Sequence, residues 1–194
     1  MYTYSAFVVA LFVSAGHSAV VAERAAQGSI PASFTGYDGC TGGEACGFTL
    51  HGPGQWNAAL SKAALDSAPP KGGKSYGRQK KCGSCWEITA NQYVDDAGNP
   101  SSNLATFNGT KTMKVVITNE CDDNTCRLNG GVNKLKKQVH FDLCKANGSD
   151  RMFFPNGAGN GPGNAIGSAR ELAMSECGNW QKGAPREDWA LDTQ

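Results

Sequence analysis

The sequence predicts a mainly β domain closed into a small barrel. Three observations predict it. Apolar and polar residues alternate with a period of two in several short runs. Turn formers are frequent, with 25 glycines and 8 prolines among 194 residues. Eight cysteines are spread along the chain. Short strands leave edges that pair with anything available, and closing the sheet removes them. With 40% hydrophobic residues the chain can build a core, and its length suits one domain. Lys and Arg number 18 against 17 Asp and Glu, a formal +1. That balance lacks the basic excess that phosphate backbones require, so no nucleic-acid partner is expected.

In chain order, residues 6–15 (AFVVALFVSA) form a short apolar run followed by small residues. This is the pattern of a secretory signal, with cleavage expected after Ala22 and Ser18 as the second choice. The run is too short to span a bilayer and no second one follows, so no membrane association is expected. Residues 1–22 are read as the signal peptide, 23–194 as a single domain, and the protein as secreted. Residues 33–37 are a plausible first strand. Trp56, Leu60, Ala63 and Ala64 share one helical face between Pro53 and Pro69-Pro70, predicting a helix. Alternation predicts strands through Trp86, Ile88 and Ala90, through Met113, Val115 and Ile117, and through Val139, Phe141 and Leu143. Residues 165–177 fit helix or strand. Glycine and asparagine clusters at 97–103, 128–133 and 155–164 read as loops.

In an exported chain, Cys40, Cys46, Cys82, Cys85, Cys121, Cys126, Cys144 and Cys177 read as up to four disulfides, with the connectivity open. The spacing Cys82-Gly-Ser-Cys85 also allows a redox pair, and with Cys121 and Cys126 a zinc site. No thioredoxin-like pattern surrounds the pair, and export disfavours structural zinc, so no metal is expected. Sequons at Asn108 and Asn147 fit a glycoprotein.

The run 139–144 (VHFDLC) carries the most chemistry. Alternation sends Phe141 into the core and His140 with Asp142 to the other face. A carboxyl beside an imidazole on a rigid strand suits a general acid, although a solvated Asp fits the same pattern. Asp38 follows Tyr37 at the end of the first strand and is the second candidate carboxylate, or else a turn residue before Gly39. The stretch 118–126 (TNECDDNTC) is dense in acids and amides. It lacks EF-hand spacing for calcium.

Three motifs occur in order: 82–88 (CGSCWEI), 116–121 (VITNEC) and 139–144 (VHFDLC), preceded by 43–48 (GEACGF). Together they resemble the double-psi β-barrel shared by glycoside hydrolase family 45 and the expansins. Residues 153–155 (FFP) and 177–180 (CGNW) resemble a fungal branch of the hydrolases. The likeness runs from about residue 34 to 180. It implies a six-stranded double-psi β-barrel with long disulfide-stapled loops and one or two short helices.

The resemblance further implies inverting endo-hydrolysis of β-1,4-glucan, such as cellulose or mixed-linkage glucan, by a monomer with no cofactor. Asp142 matches the general acid, which expansins also keep. Asp38 resembles one type of general base. Asn119 stands where many relatives have Asp, and Asn124, with Asp122 or Asp123 behind it, is a further candidate on the following loop. Tyr37, Trp86 and Trp180 are candidate sugar platforms, with Trp86 expected to point inward. His140 is a candidate for orienting Asp142 or for contacting substrate, with simple packing favoured. Two other classes stay in view. One is a non-hydrolytic expansin-like or loosenin-like protein that loosens wall polysaccharide by binding. The other is a secreted, disulfide-stapled effector or inhibitor on the same fold.

Overall fold

The computed structural model describes residues 28–40, 45–48, 50, 55–67, 71, 79–100, 109–121, 126–127, 129–130, 132–155 and 163–178. The expected signal peptide, Asn108, Asp122, Asp123, Asn124 and Trp180 lie outside them.

Six strands form the barrel: β1 (Ile30–Tyr37), β2 (Asn57–Ser61), β3 (Cys85–Val94), β4 (Lys111–Cys121), β5 (Val139–Cys144) and β6 (Asn164–Leu172). A single helical turn, α1 (Lys62–Leu65), follows β2, and 3-10 turns cover Asp150–Met152 and Met174–Cys177. The ring runs β1-β5-β2-β4-β3-β6 and closes on itself. Two contacts are parallel, β1 with β5 and β2 with β4. The rest are antiparallel. This is the mainly β, six-stranded fold expected, and β3, β4 and β5 lie where the alternation placed them.

The expected helix at 56–64 is corrected. Residues Asn57–Ser61 are a strand, and only Lys62–Leu65 turns helical. All five β2 residues are buried, because β4 and β5 flank them and both faces are covered. A strand buried on both faces has no polar alternation, so its Ala and Leu mimic one face of a helix. The ambiguous stretch resolves into β6 followed by a 3-10 turn.

Inward residues fill the barrel with aromatic rings. Phe34 stacks on Phe141 at 6.0 Å and meets Phe153 edge-on at 5.0 Å, while Trp86 meets Phe141 edge-on at 5.3 Å. Such contacts add about 0.5–1.5 kcal/mol each beyond the area they bury. Tyr93 donates its hydroxyl to the Phe153 carbonyl at 2.8 Å, and burial pushes its pKa up. Past β3, the Asp95 carboxylate accepts the backbone N–H groups of Ala97 (2.9 Å) and Asn99 (2.8 Å). The Asn99 bond is the main reason this carboxyl sits below its ordinary range.

The cysteines pair Cys40–Cys144, Cys46–Cys82, Cys85–Cys177 and Cys121–Cys126. Cys82 and Cys85 thus bond to different partners, which removes the redox-pair reading of their spacing. Four disulfides fit an oxidising compartment.

Strand β3 crowds β6 at Gly167, where a Cβ would sit 1.9 Å from the Thr89 carbonyl oxygen. The β3 register shifts between Ala90 and Gln92 at the same place. Gly167→Ala should therefore cost about 2 kcal/mol or more through forced strand separation. A urea midpoint equal to wild type would contradict this packing.

Candidate functional site

The outer face of β5 carries the site. In the parallel register Ser33 lies beside His140, Thr35 beside Asp142 and Tyr37 beside Cys144. Across β5, Asp142 is opposite Ala59 of β2, and Ala59 is opposite Asn119 of β4. One row thus crosses four strands as Thr35, Asp142, Ala59 and Asn119. At about 4.8 Å per strand, the backbones of Asp142 and Asn119 stand roughly 10 Å apart. Ala59 lies between them in the row, packed against the Cys121–Cys126 disulfide.

An outward-facing residue on an amphipathic strand is expected to be solvated, yet all six β5 residues are buried. Asp142 is 8% exposed. Tyr37 and the buried Cys121–Cys126 disulfide pack around Ala59 beside it. A Cys121 sulfur, which as a disulfide has no hydrogen to donate, lies 3.8 Å from Asp142 Oδ2. The Thr35 hydroxyl donates to Oδ1 at 2.6 Å.

Thr35 is one link in a buried chain. Lys137 donates its backbone N–H to Asn133 Oδ1 at 3.0 Å, which fixes the amide so that Nδ2 donates to Ser33 Oγ at 2.7 Å. Ser33 Oγ lies 2.8 Å from His140 Nδ1, and His140 Nε2 lies 2.8 Å from Thr35 Oγ1. With Asp142 ionised, Thr35 gives its hydrogen to the carboxylate and must accept from Nε2–H. The imidazole is then neutral, with Nδ1 accepting from Ser33. With the Ser33 hydrogen on Nδ1, 2.8 Å away, rather than on the Val139 carbonyl at 3.4 Å, the hydrogens of the chain run toward Asp142. His140 itself is 0% exposed and presents no surface to a sugar. Its Nε2 faces Thr35 and not the surface, so burial counts against the expected substrate contact. Thr35, Ser33 and Asn133 were not singled out in the sequence. Their partners lie up to 107 residues away, and no local pattern signals them.

The other candidates separate. Asn119 Oδ1 accepts the backbone N–H groups of Ala45 (2.9 Å) and Glu120 (2.8 Å). Its oxygen is turned to the backbone, so the amide offers only N–H donors to the row. Asp38 is 83% exposed in its side chain and pairs with Lys145 at 2.9 Å, past the end of β1. Glu120 accepts from Lys62 at 3.2 Å and also from Gln79. Trp86 is 6% exposed, and its indole N–H donates to Ser84 Oγ at 2.9 Å, so it is a core residue rather than a sugar platform. Tyr37 is half-buried beside the row. Asn147 donates its amide nitrogen to the Gln55 carbonyl at 3.0 Å and to Asn57 Oδ1. A glycan would need that same atom, so the folded structure opposes use of this sequon.

Cys121, Cys126 and His140 place ligand atoms within 4.8 Å of one another. Both sulfurs are disulfide-bonded, so they supply no thiolate to a metal.

His140→Leu should leave the Ser33 and Thr35 hydroxyls short of a buried partner each, at about 1–3 kcal/mol per group. A urea midpoint lowered by less than the equivalent of about 1 kcal/mol would mean that water or local rearrangement replaces the ring.

Comparison with known proteins follows from this geometry. A β-1,4-D-endoglucanase, Cel45A from the blue mussel Mytilus edulis, is similar in structure at a TM-score of 0.50 and 23% identity, over 84% of this chain and 90% of that one. At this identity the likeness establishes the fold. Weaker likenesses, on which nothing below rests, are an expansin from Clavibacter michiganensis and cerato-platanin 2 from M. perniciosa. The expansin has a TM-score of 0.41 and 14% identity, over 74% of this chain and 50% of that one. The cerato-platanin has a TM-score of 0.39 and 14% identity, over 78% and 100%. No curated protein matches the sequence. The profile of EXPB1-like domain 1 matches residues 32–182, which contain the whole barrel from Ala32 onward and both halves of the acid row. The chain therefore belongs to the EXPB1-like domain 1 family, within the expansin-like double-psi β-barrel superfamily.

Proposed function

We propose that the protein is a secreted endo-β-1,4-glucanase of the fungal family 45 type, with Asp142 as its general acid. One observation carries the reading. A carboxyl withdrawn from water accepts a directed hydroxyl on a rigid strand, with one strand between it and Asn119. Inverting hydrolysis needs that layout, an acid at the leaving oxygen and space opposite for water. The buried hydrogen-bond chain keeps the acid in one orientation, so little is lost to reorganisation during proton transfer. Asn119 donates to the incoming water and fixes its lone pairs, a positioning role. The proton of that water passes to a group on the loop after β4. Asn124 is our candidate, accepting on the nitrogen of its imidic acid tautomer while its O–H proton leaves to solvent, and Asp122 or Asp123 would accept it directly as a carboxylate. Asp38, committed to Lys145, ranks below it. Tyr37 and Trp180 are the proposed sugar platforms. The substrate is a neutral β-1,4-glucan, the protein acts as a monomer, and the reaction uses no cofactor.

A second reading has its own support. Among the described residues, no second carboxylate lies on the row facing Asp142. An acid without a base describes a protein that grips glucan and loosens it without cutting, as an expansin-like or loosenin-like protein would.

Reducing-end release from mixed-linkage glucan and carboxymethyl-cellulose separates the two. Asp142→Asn should lower release by about 10²–10⁴-fold with unchanged secondary structure. Wild-type turnover in that variant would remove Asp142 as the acid. No release by the native protein, together with retention on insoluble cellulose, would move it to the second reading.

The positioning chain is tested on the same substrates. Thr35→Val should lower kcat about 10–100-fold, and Thr35→Ser, which restores the hydroxyl, should recover most of it. Equal losses in Val and Ser would make the side chain a packing residue only.

A further inference from the structure

A second cavity lies on the outer wall of β4, toward the end opposite Asn119. Its volume is about 420 Å³, and Gln55, Trp56, Thr112, Lys114, Met152 and Glu176 are among its lining residues. That volume falls in the range of small-molecule sites. Val116 is the lining residue of β4 nearest the acid row, three residues before Asn119 or about 10 Å along the strand. The cavity and the row are therefore separate places on one face.

Its walls are tied on both sides. The Trp56 carbonyl accepts the Val116 N–H at 2.9 Å, and the neighbouring Gln55 carbonyl accepts from Asn147 at 3.0 Å. On the far side the 3-10 turn carrying Glu176 is held by the Cys85–Cys177 disulfide, and Lys114 Nζ donates to the Glu176 carbonyl at 3.2 Å. Trp56 is partly buried against the core and is also one of the cavity's lining residues. Met152 is 40% exposed beside it, an apolar side chain left in water.

The polar groups define the ligand. Lys114 Nζ and the Glu176 carboxylate lie 3.8 Å apart, with their side chains 44% and 47% exposed. An anion or a cation would meet the opposing charge within one side-chain width, so neither gains. A hydroxyl group both accepts from an ammonium and donates to a carboxylate, and vicinal hydroxyls satisfy the two together. Beside them lies an indole surface, which suits a flat face of C–H groups. A neutral ring with an apolar face and an edge of hydroxyls is a pyranose.

We propose that this cavity is a second sugar-binding site, separate from the acid row, that takes one end of a neutral β-linked oligosaccharide. It rests on the reading above only for the choice of β-glucan. The test uses Asp142→Asn protein, so that the sugar stays intact, titrated with cellohexaose and followed by amide and indole NMR. Saturable shifts at the Trp56 indole N–H and the Thr112 amide are the expected result. Thr112→Trp, which fills the cavity, should weaken the Trp56 response at least tenfold. Lys114→Ala, on an exposed side chain, serves the same end if the larger residue prevents folding. Shifts at Thr35 and Ala59 report separately on the acid row. If those appear while Trp56 stays silent, the second site is overturned and the glucan reading stands. If Trp56 responds and the row does not, the reverse holds. A Trp56 response that survives both variants, or that phenol elicits and cellohexaose does not, would also overturn it.

Discussion

The parallel pairing of β1 with β5 is the constraint on which the site depends. It joins residues more than a hundred positions apart and sets Thr35 beside Asp142 with Ser33 beside His140. A slip of either strand by one residue would turn its two polar side chains to the inner face and expel its phenylalanine, Phe34 or Phe141, from the core. The aromatic packing inside the barrel and the hydroxyl chain outside it therefore enforce the same register. Cys40–Cys144 fastens the end of that pairing, where Tyr37 lies beside Cys144. Closing a loop of 104 residues contributes about 4–5 kcal/mol by the chain-entropy account.

Polar side chains buried on the outer face of a barrel strand need partners, and the cover over β5 supplies them. Asn133 sits over Ser33 and, through it, His140. The Cys121–Cys126 disulfide and Tyr37 sit over Ala59 and Asp142. The cover shields the carboxyl from bulk water while leaving it a small exposed area. A buried polar chain in which each hydrogen has a destination is rigid, because any rotation of one hydroxyl leaves a group unsatisfied. Rigidity suits a proton donor and a clamp on an unreacting chain equally well.

That equivalence is why family membership does not fix activity here. In the proposed reading, the Asp142 carboxyl, its hydrogen-bond chain and the barrel wall would serve cutting and gripping alike, and the difference would lie in what accepts a proton on the far side of Ala59. Asn119 occupies that side with its oxygen bound to backbone, so it presents hydrogens and no lone pair. Two backbone N–H groups set that orientation.

Periodicity was legible wherever one face of a strand meets the core and the other meets polar surroundings. Trp86 to Ala90, Met113 to Ile117 and Val139 to Leu143 could be read directly, and so could Asp142 as the residue of interest. Strand β2 was not legible, since burial on both faces erased its alternation, and its alanines followed helical spacing instead. The disulfide partners, the row from Thr35 to Asn119 and the hydroxyls on either side of His140 came only with the tertiary structure. They depend on which strands are neighbours in the ring, and neighbour order is set by the packing of whole strands, not by any property of the segments that meet. Local sequence determined the chemistry available to this protein. Register decided which groups face one another, which are spent on structure, and which remain to act.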